Sequence, residues 1–331
     1  MENNIRNKVE SFIETFKILK KEYRWSIGDL TLRFVALIYS ISNKEFDKDE
    51  FNEMTKYIKE NSKLFSNYRG HQKHSTAALL LTKFTEPQKA FNDLLMYEEK
   101  MKTAGFRSSQ HLSISAYALL LTCKPEDVNI RAQKAIDLYK EMKKNHFWLT
   151  GSDDYPIAVL LSESNENTNT LISEMEKNYE LLHQKGFSRS NGLQFLSHIL
   201  TFVQGDAQAK TQQIRDIYDR LKKEKFHVSS TYYGILGYLS LLGEHSNQAV
   251  DETIEVVRYL KTQKGFKWVD KNMNVLTATA LVSSQYIEKF KENNELLETG
   301  IGISIETMIA AQTAALVASV SATTVAASAG S

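Results

Sequence analysis

Glu98-Glu99-Lys100-Met101-Lys102-Thr103-Ala104-Gly105-Phe106-Arg107-Ser108-Ser109 leads into an apolar run that ends Ala116-Tyr117-Ala118-Leu119-Leu120-Leu121. It reads as a charged helix, a turn and a second, far more apolar helix. Gly105 follows a run of helix formers, where the chain favours a left-handed residue and a missing Cβ removes the steric cost. Ser109 stands where an N-cap would accept from the free N–H groups of the next helix.

The same turn recurs along the chain. Trp25, Phe65, Phe106, Phe147, Phe187, Phe226 and Phe266 are spaced 39 to 41 residues apart. A period near 40 held through seven units marks a helical-repeat protein. Gly186 and Gly265 match Gly105. Asn145 is the expected left-handed residue of the fourth turn, and Glu224-Lys225 of the sixth predicts a different geometry. Apolar residues five positions before the aromatic (Met101, Met142, Leu182, Leu221) and a Tyr about two turns back (Tyr97, Tyr139, Tyr179, Tyr218) form the stripe of an amphipathic helix. The turn aromatics are therefore expected in the core. Ser109, Thr150, Ser190, Ser229 or Ser230, Asp29 and Asp270 are the expected N-caps.

Each unit is thus a hairpin of an amphipathic helix and a nearly all-apolar one, such as Ile157-Ala158-Val159-Leu160-Leu161. Polar connections such as Thr85-Glu86-Pro87 join the units, with Pro87 and Pro125 suited to first helical turns. The fold class is all-α, built of α/α helical-hairpin repeats of about 40 residues. The apolar helices line an inner layer and the charged helices an outer one, in an open solenoid or a closed α/α toroid. A half unit from about Ile5 to Lys21 opens the stack, and a last inner helix runs near Asn272 to Tyr286. Three prolines and no bounded alternating segment fit an all-α chain.

One repeat domain covers residues 1–300. Residues 301–331 form an Ala/Ser/Thr-rich apolar helix and tail, with no charged residue from Thr307 to Ser331. That stretch is long enough for a bilayer, but it is poor in large apolar residues and lacks basic flanks. Membrane contact is expected, if anywhere, through this tail. Lys and Arg total 41 against 40 Asp and Glu, so net charge gives no overall pull toward nucleic acid. Cys123 alone cannot form an intrachain disulfide, and no signal-peptide core follows Met1-Glu2-Asn3-Asn4. A cytoplasmic location is expected.

Thr150-Gly151-Ser152-Asp153-Asp154-Tyr155-Pro156, together with the Gly-Phe turns and the Ala-rich tail, resembles an uncharacterised Firmicutes family, domain of unknown function 4003. The resemblance spans essentially the whole chain, with Asp-Asp-Tyr-Pro its most specific part. It implies a cytoplasmic helical protein and supplies no activity, cofactor or catalytic residue.

Most inner helices open on neutral polar residues. The exceptions are His71 and His74 in the second unit, His111 in the third, and Asp153 and Asp154 in the fourth. Helix starts at one register share one edge of a stack, so these five are the candidate ligands of a divalent metal such as Zn, Mn or Fe. Metal-bound water would then support a hydrolase. Against this, acids at a helix N-terminus suit the macrodipole, and neighbouring helix axes lie roughly 8–10 Å apart. His71-Gln72-Lys73-His74 is not HExxH, and no P-loop, dinucleotide turn or nucleophile elbow occurs. Lysines near the ends of the charged helices, among them Lys21, Lys63, Lys144, Lys222 and Lys264, share one edge and suit the helix C-terminal carbonyls. The leading expectation is a binding or scaffold module for a peptide or protein partner, with a metal-assisted toroid hydrolase as the alternative.

Overall fold

A computed structural model describes residues 1–64, 66–70, 72–267, 269–292 and 309. Among these described residues, fourteen α-helices alternate between the two expected kinds. The outer helices are α1 (Asn3–Tyr23), α3 (Lys48–Glu60), α5 (Pro87–Ala104), α7 (Val128–Asn145), α9 (Thr168–Gln184), α11 (Ala207–Lys223) and α13 (Ser246–Thr262). The inner helices are α2 (Asp29–Ile41), α4 (Gln72–Lys83), α6 (Gln110–Thr122), α8 (Tyr155–Leu161), α10 (Asn191–Ile199), α12 (Gly234–Ser240) and α14 (Lys271–Glu292). The division follows from composition. All seven residues of α8 are buried, whereas α3 buries only Phe51, Met54 and Ile58.

Successive inner helices are neighbours, α4 and α6 being joined by the Ser113–Gln72 hydrogen bond, and the last returns to the first: α14 packs on both α2 and α1. The stack is therefore a closed ring rather than an open arc. The seam is built from aromatic and charged residues together. Phe266 inserts between Phe12 and Phe16, with ring centroids 5.4 and 5.3 Å away. Arg33 lies over the rings of Phe16 and Phe266 and donates to the Gly265 carbonyl at 2.7 Å. Buried Lys8 donates to Asn43 Oδ1 at 2.6 Å and pairs with Glu288 at 2.8 Å. A cation taken out of water needs such paired and hydrogen-bonded surroundings.

Gly105 and Gly186 take positive φ, and the following Phe N–H reaches back five residues: Phe106 to Met101 and Phe187 to Leu182. Lys225 adopts the same left-handed geometry at φ 64, with Phe226 donating to Leu221. The sixth turn is thus not different, as its sequence implied; a lysine carries the strain a glycine would avoid. Asn145 is the other departure, since it stays helical and His146 caps α7.

Ser109, Ser190 and Asp270 cap helices through their side chains. Thr150 instead bonds to Gln194 and Met142, and Ser229 makes no side-chain cap. Asp29 is the first residue of α2 and pairs with Lys20 and Arg33. At one crossing the backbones nearly meet. A Cβ on Gly192 would lie 1.8 Å from the Ser230 carbonyl oxygen, so the approach of α10 to the next turn requires glycine.

The tail assigned to residues 301–331 lies outside the described residues except for Ile309. That side chain is buried against the C-terminal halves of α2, α4 and α6, beside Phe34, Ile38, Tyr117 and Leu121. No described helix is long and apolar enough to cross a membrane.

Candidate functional site

Because inner and outer helices alternate in direction, all seven outer-to-inner turns lie on one face of the ring. Hydrogen bonds tie neighbouring turns together on it. Gln72 donates to the Gln110 carbonyl at 2.6 Å, Gln194 to Thr150 Oγ1 at 2.7 Å, and the Ser229 N–H to Asn272 Oδ1 at 2.9 Å.

The five residues singled out in the sequence separate on this face. His71 lies outside the described residues. His74 turns away from the ring centre and stacks on Phe51 of α3, with centroids 6.2 Å apart. His111 and Asp153 come close enough to interact electrostatically; burial lowers the imidazole pKa while the carboxylate opposes it. Asp154 is buried, accepts from the Gly151 N–H at 3.0 Å, and lies 3.9 Å from Nδ1 of His198. Among the described residues, no three of His, Cys, Asp and Glu converge so as to hold a metal ion.

A polar cluster lies behind Asp154. His198, Gln194 and Asn178 are fully buried between α8, α9 and α10, and His146 packs on Tyr179 with centroids 4.5 Å apart. His146 Nε2 lies 3.0 Å from Glu176 without the alignment of a hydrogen bond. Burial, reinforced by His146, pushes His198 down to about 3, and burial with the Asp153 charge raises Asp154 well above its ordinary range. Burial thus disfavours the charged form of both groups. A helical His one turn from a Gln was the only sequence signal, and lone histidines of that kind are commonplace in cores.

Phe65 lies outside the described residues; the other turn aromatics divide into two sets. Phe106, Phe187, Phe226 and Phe266 are buried as expected. Trp25 is 89 % exposed and Phe147 60 %, which corrects the expectation that both lie in the core. Trp148 is 91 % exposed and Leu64 69 %. At each of these turns another residue takes the inner position: buried Ile27, buried Tyr68 against Phe91, and half-buried His146 against Tyr179. His146 stands to Tyr179 as Phe187 stands to Tyr218. The exposed rings thus lie outside the core, Phe147 and Trp148 meeting edge to face at 5.2 Å, and cations attend them. Arg24 lies 4.8 Å from the Trp25 ring and Lys143 5.5 Å from that of Phe147.

Charge is segregated across the ring. The last four residues of each outer helix and the turn that follows form seven segments on the turn face. These seven segments hold nineteen Lys and Arg against six Asp and Glu. The six opposite connections, counted with the first four residues of each outer helix, hold six against eleven. The near-zero net charge therefore conceals a basic face and an acidic one. Some turn cations are paired, as Lys63 is with Glu99 and Arg189 with Glu180. Lys21, Lys59, Lys222, Lys223, Lys225 and Lys264 make no ion pair among the described residues.

Residues 15–314 match the family described as "Protein of unknown function (DUF4003)", and the chain belongs to it. It is 30 % identical over 329 residues to "Uncharacterized protein YeaA" of Bacillus subtilis (strain 168), covering 98 % of this chain and 97 % of that one. No solved structure matches it.

Proposed function

We propose that this DUF4003 member is a binding module: a closed helical ring that presents its turn face to a macromolecular partner. One observation carries the reading. Trp25, Phe147 and Trp148 stand in solvent at turns whose inner slot is already filled by Ile27 or His146. Exposed aromatic side chains ringed by polar and basic groups are the usual marks of a recognition surface.

Affinity capture with the wild-type chain and with a Trp25→Ala/Trp148→Ala variant tests this. Both should have the same melting temperature, and the wild type should retain components that the variant loses. An identical captured set for the two would reject the turn face as the contact surface.

The metal-assisted hydrolase has one geometric support, ring closure. Its ligand set is not assembled among the described residues, because His74 faces Phe51 and Asp154 is enclosed with His198. The binding reading needs no such rearrangement.

A further inference from the structure

The turn face has three properties at once, and together they narrow the partner. It is basic, as the charge count shows. Its exposed apolar groups sit at separate turns: Trp25 at the first, Leu64 at the second, and Phe147 with Trp148 at the fourth. They are therefore dispersed around the ring and do not line one groove. The unpaired lysines are dispersed as well, at the first, second, sixth and seventh turns. A peptide is held in a continuous groove, and single-stranded nucleic acid is held by rings stacked along one track. Neither arrangement is present among the described residues, and Leu64 offers a base no stacking surface. A flat partner touches all of these points simultaneously.

The geometry points to the surface of an anionic lipid bilayer as that partner. Trp side chains settle at the headgroup level, where the ring is half in hydrocarbon and the indole N–H stays wet. Lys and Arg beside them meet anionic headgroups, each with a modest gain that accumulates over the face. The acidic connections on the opposite face orient the ring, since they are repelled from the same surface. This inference rests on the binding reading and gives its partner a chemical class.

The test uses the full chain and sedimentation with two kinds of vesicle: phosphatidylcholine alone, and phosphatidylcholine with an equal amount of phosphatidylglycerol. The wild type should sediment with the mixed vesicles and remain in solution with the neutral ones. Lys21→Glu/Lys222→Glu/Lys264→Glu should weaken binding at least tenfold, on the order of the accumulated charge effect. Trp25→Ala/Trp148→Ala should weaken it at least about tenfold. All three lysines are exposed and unpaired, so the variants should fold, with melting temperatures lowered only modestly by acids at helix C-termini.

Equal sedimentation with both kinds of vesicle would overturn the inference, as would none with either. So would variants that sediment as the wild type does, which would assign binding to another segment. Tighter binding of polyuridylic acid than of the mixed vesicles would replace the bilayer with nucleic acid. If vesicle binding fails while the Trp variant still loses captured components, the binding reading stands and only the lipid assignment falls.

Discussion

Phe266 and Phe12 lie 254 positions apart in the chain, yet their ring centroids are 5.4 Å apart. The seventh turn uses its aromatic on α1 much as the fifth uses Phe187 on Tyr218 of α11. Ring closure is thus the ordinary contact between successive units, made once between the last and the first. Closure also gathers the seven turns, with their cations and displaced aromatics, onto one surface.

Phe266→Ala should cost about 3–5 kcal/mol, since it removes a buried ring and leaves Phe12, Phe16 and Arg33 facing a void. Urea unfolding measures the loss. A change within about 0.5 kcal/mol would mean that the seam is not packed as described.

Gly192→Ala should destabilise by about 1–3 kcal/mol or more, because the new methyl meets the Ser230 backbone and not a movable side chain. Gly205→Ala is a useful comparison. Its neighbourhood is open, so only the strain of its positive φ would be felt. Thermal unfolding of both variants separates crowding from strain.

Lys225→Gly should stabilise the fold by roughly 1 kcal/mol, by relieving a left-handed lysine. Gly105→Ala should do the reverse by a similar amount. Opposite shifts in urea midpoint would support a shared turn geometry, and a loss of stability in Lys225→Gly would refute it.

His198 and Asp154 give stability a pH dependence of two signs. His198 is depressed from 6.5 to about 3, so between those values the unfolded chain binds a proton that the folded chain refuses. Its contribution therefore falls as pH drops from 6.5 toward 3. Asp154 is raised from 3.8, so its contribution is full below 3.8 and is lost as pH rises through the folded value. Asp154→Asn leaves the histidine effect alone. Relative to Asp154→Asn/His198→Gln, that variant should lose up to about 1.4 kcal/mol per pH unit across the acid window. Parallel pH profiles for the two would place His198 in contact with water.

The hairpin, its period and its two kinds of helix were legible in the sequence, because each depends on local patterning that every unit repeats. Ring closure was not legible. It depends on how far each unit rotates relative to the last, and no single residue encodes that angle. Which turn aromatics are buried was hidden for a related reason. Trp25 and Phe147 occupy the right register, but Ile27 and His146 compete for the same inner slot and win it. The Asp154–His198 proximity brings together residues 44 positions apart on successive inner elements, with no motif to announce it. The basic face was half visible as lysines ending the outer helices. Its acidic counterpart became apparent only when charges were sorted by face.

Zero-length carbodiimide cross-linking of the unmodified protein tests the central claim, that the chain closes and so collects its turns on one face. Lys289 and Glu2 lie 2.9 Å apart across the seam, and both are accessible. Lys20 and Asp29, 2.8 Å apart within the first turn, provide the internal control. A closed ring should give a Lys289–Glu2 isopeptide in monomeric protein, in yield comparable to Lys20–Asp29. Formation of the control link alone would mean that the ends do not meet, and the shared turn face would fall with them.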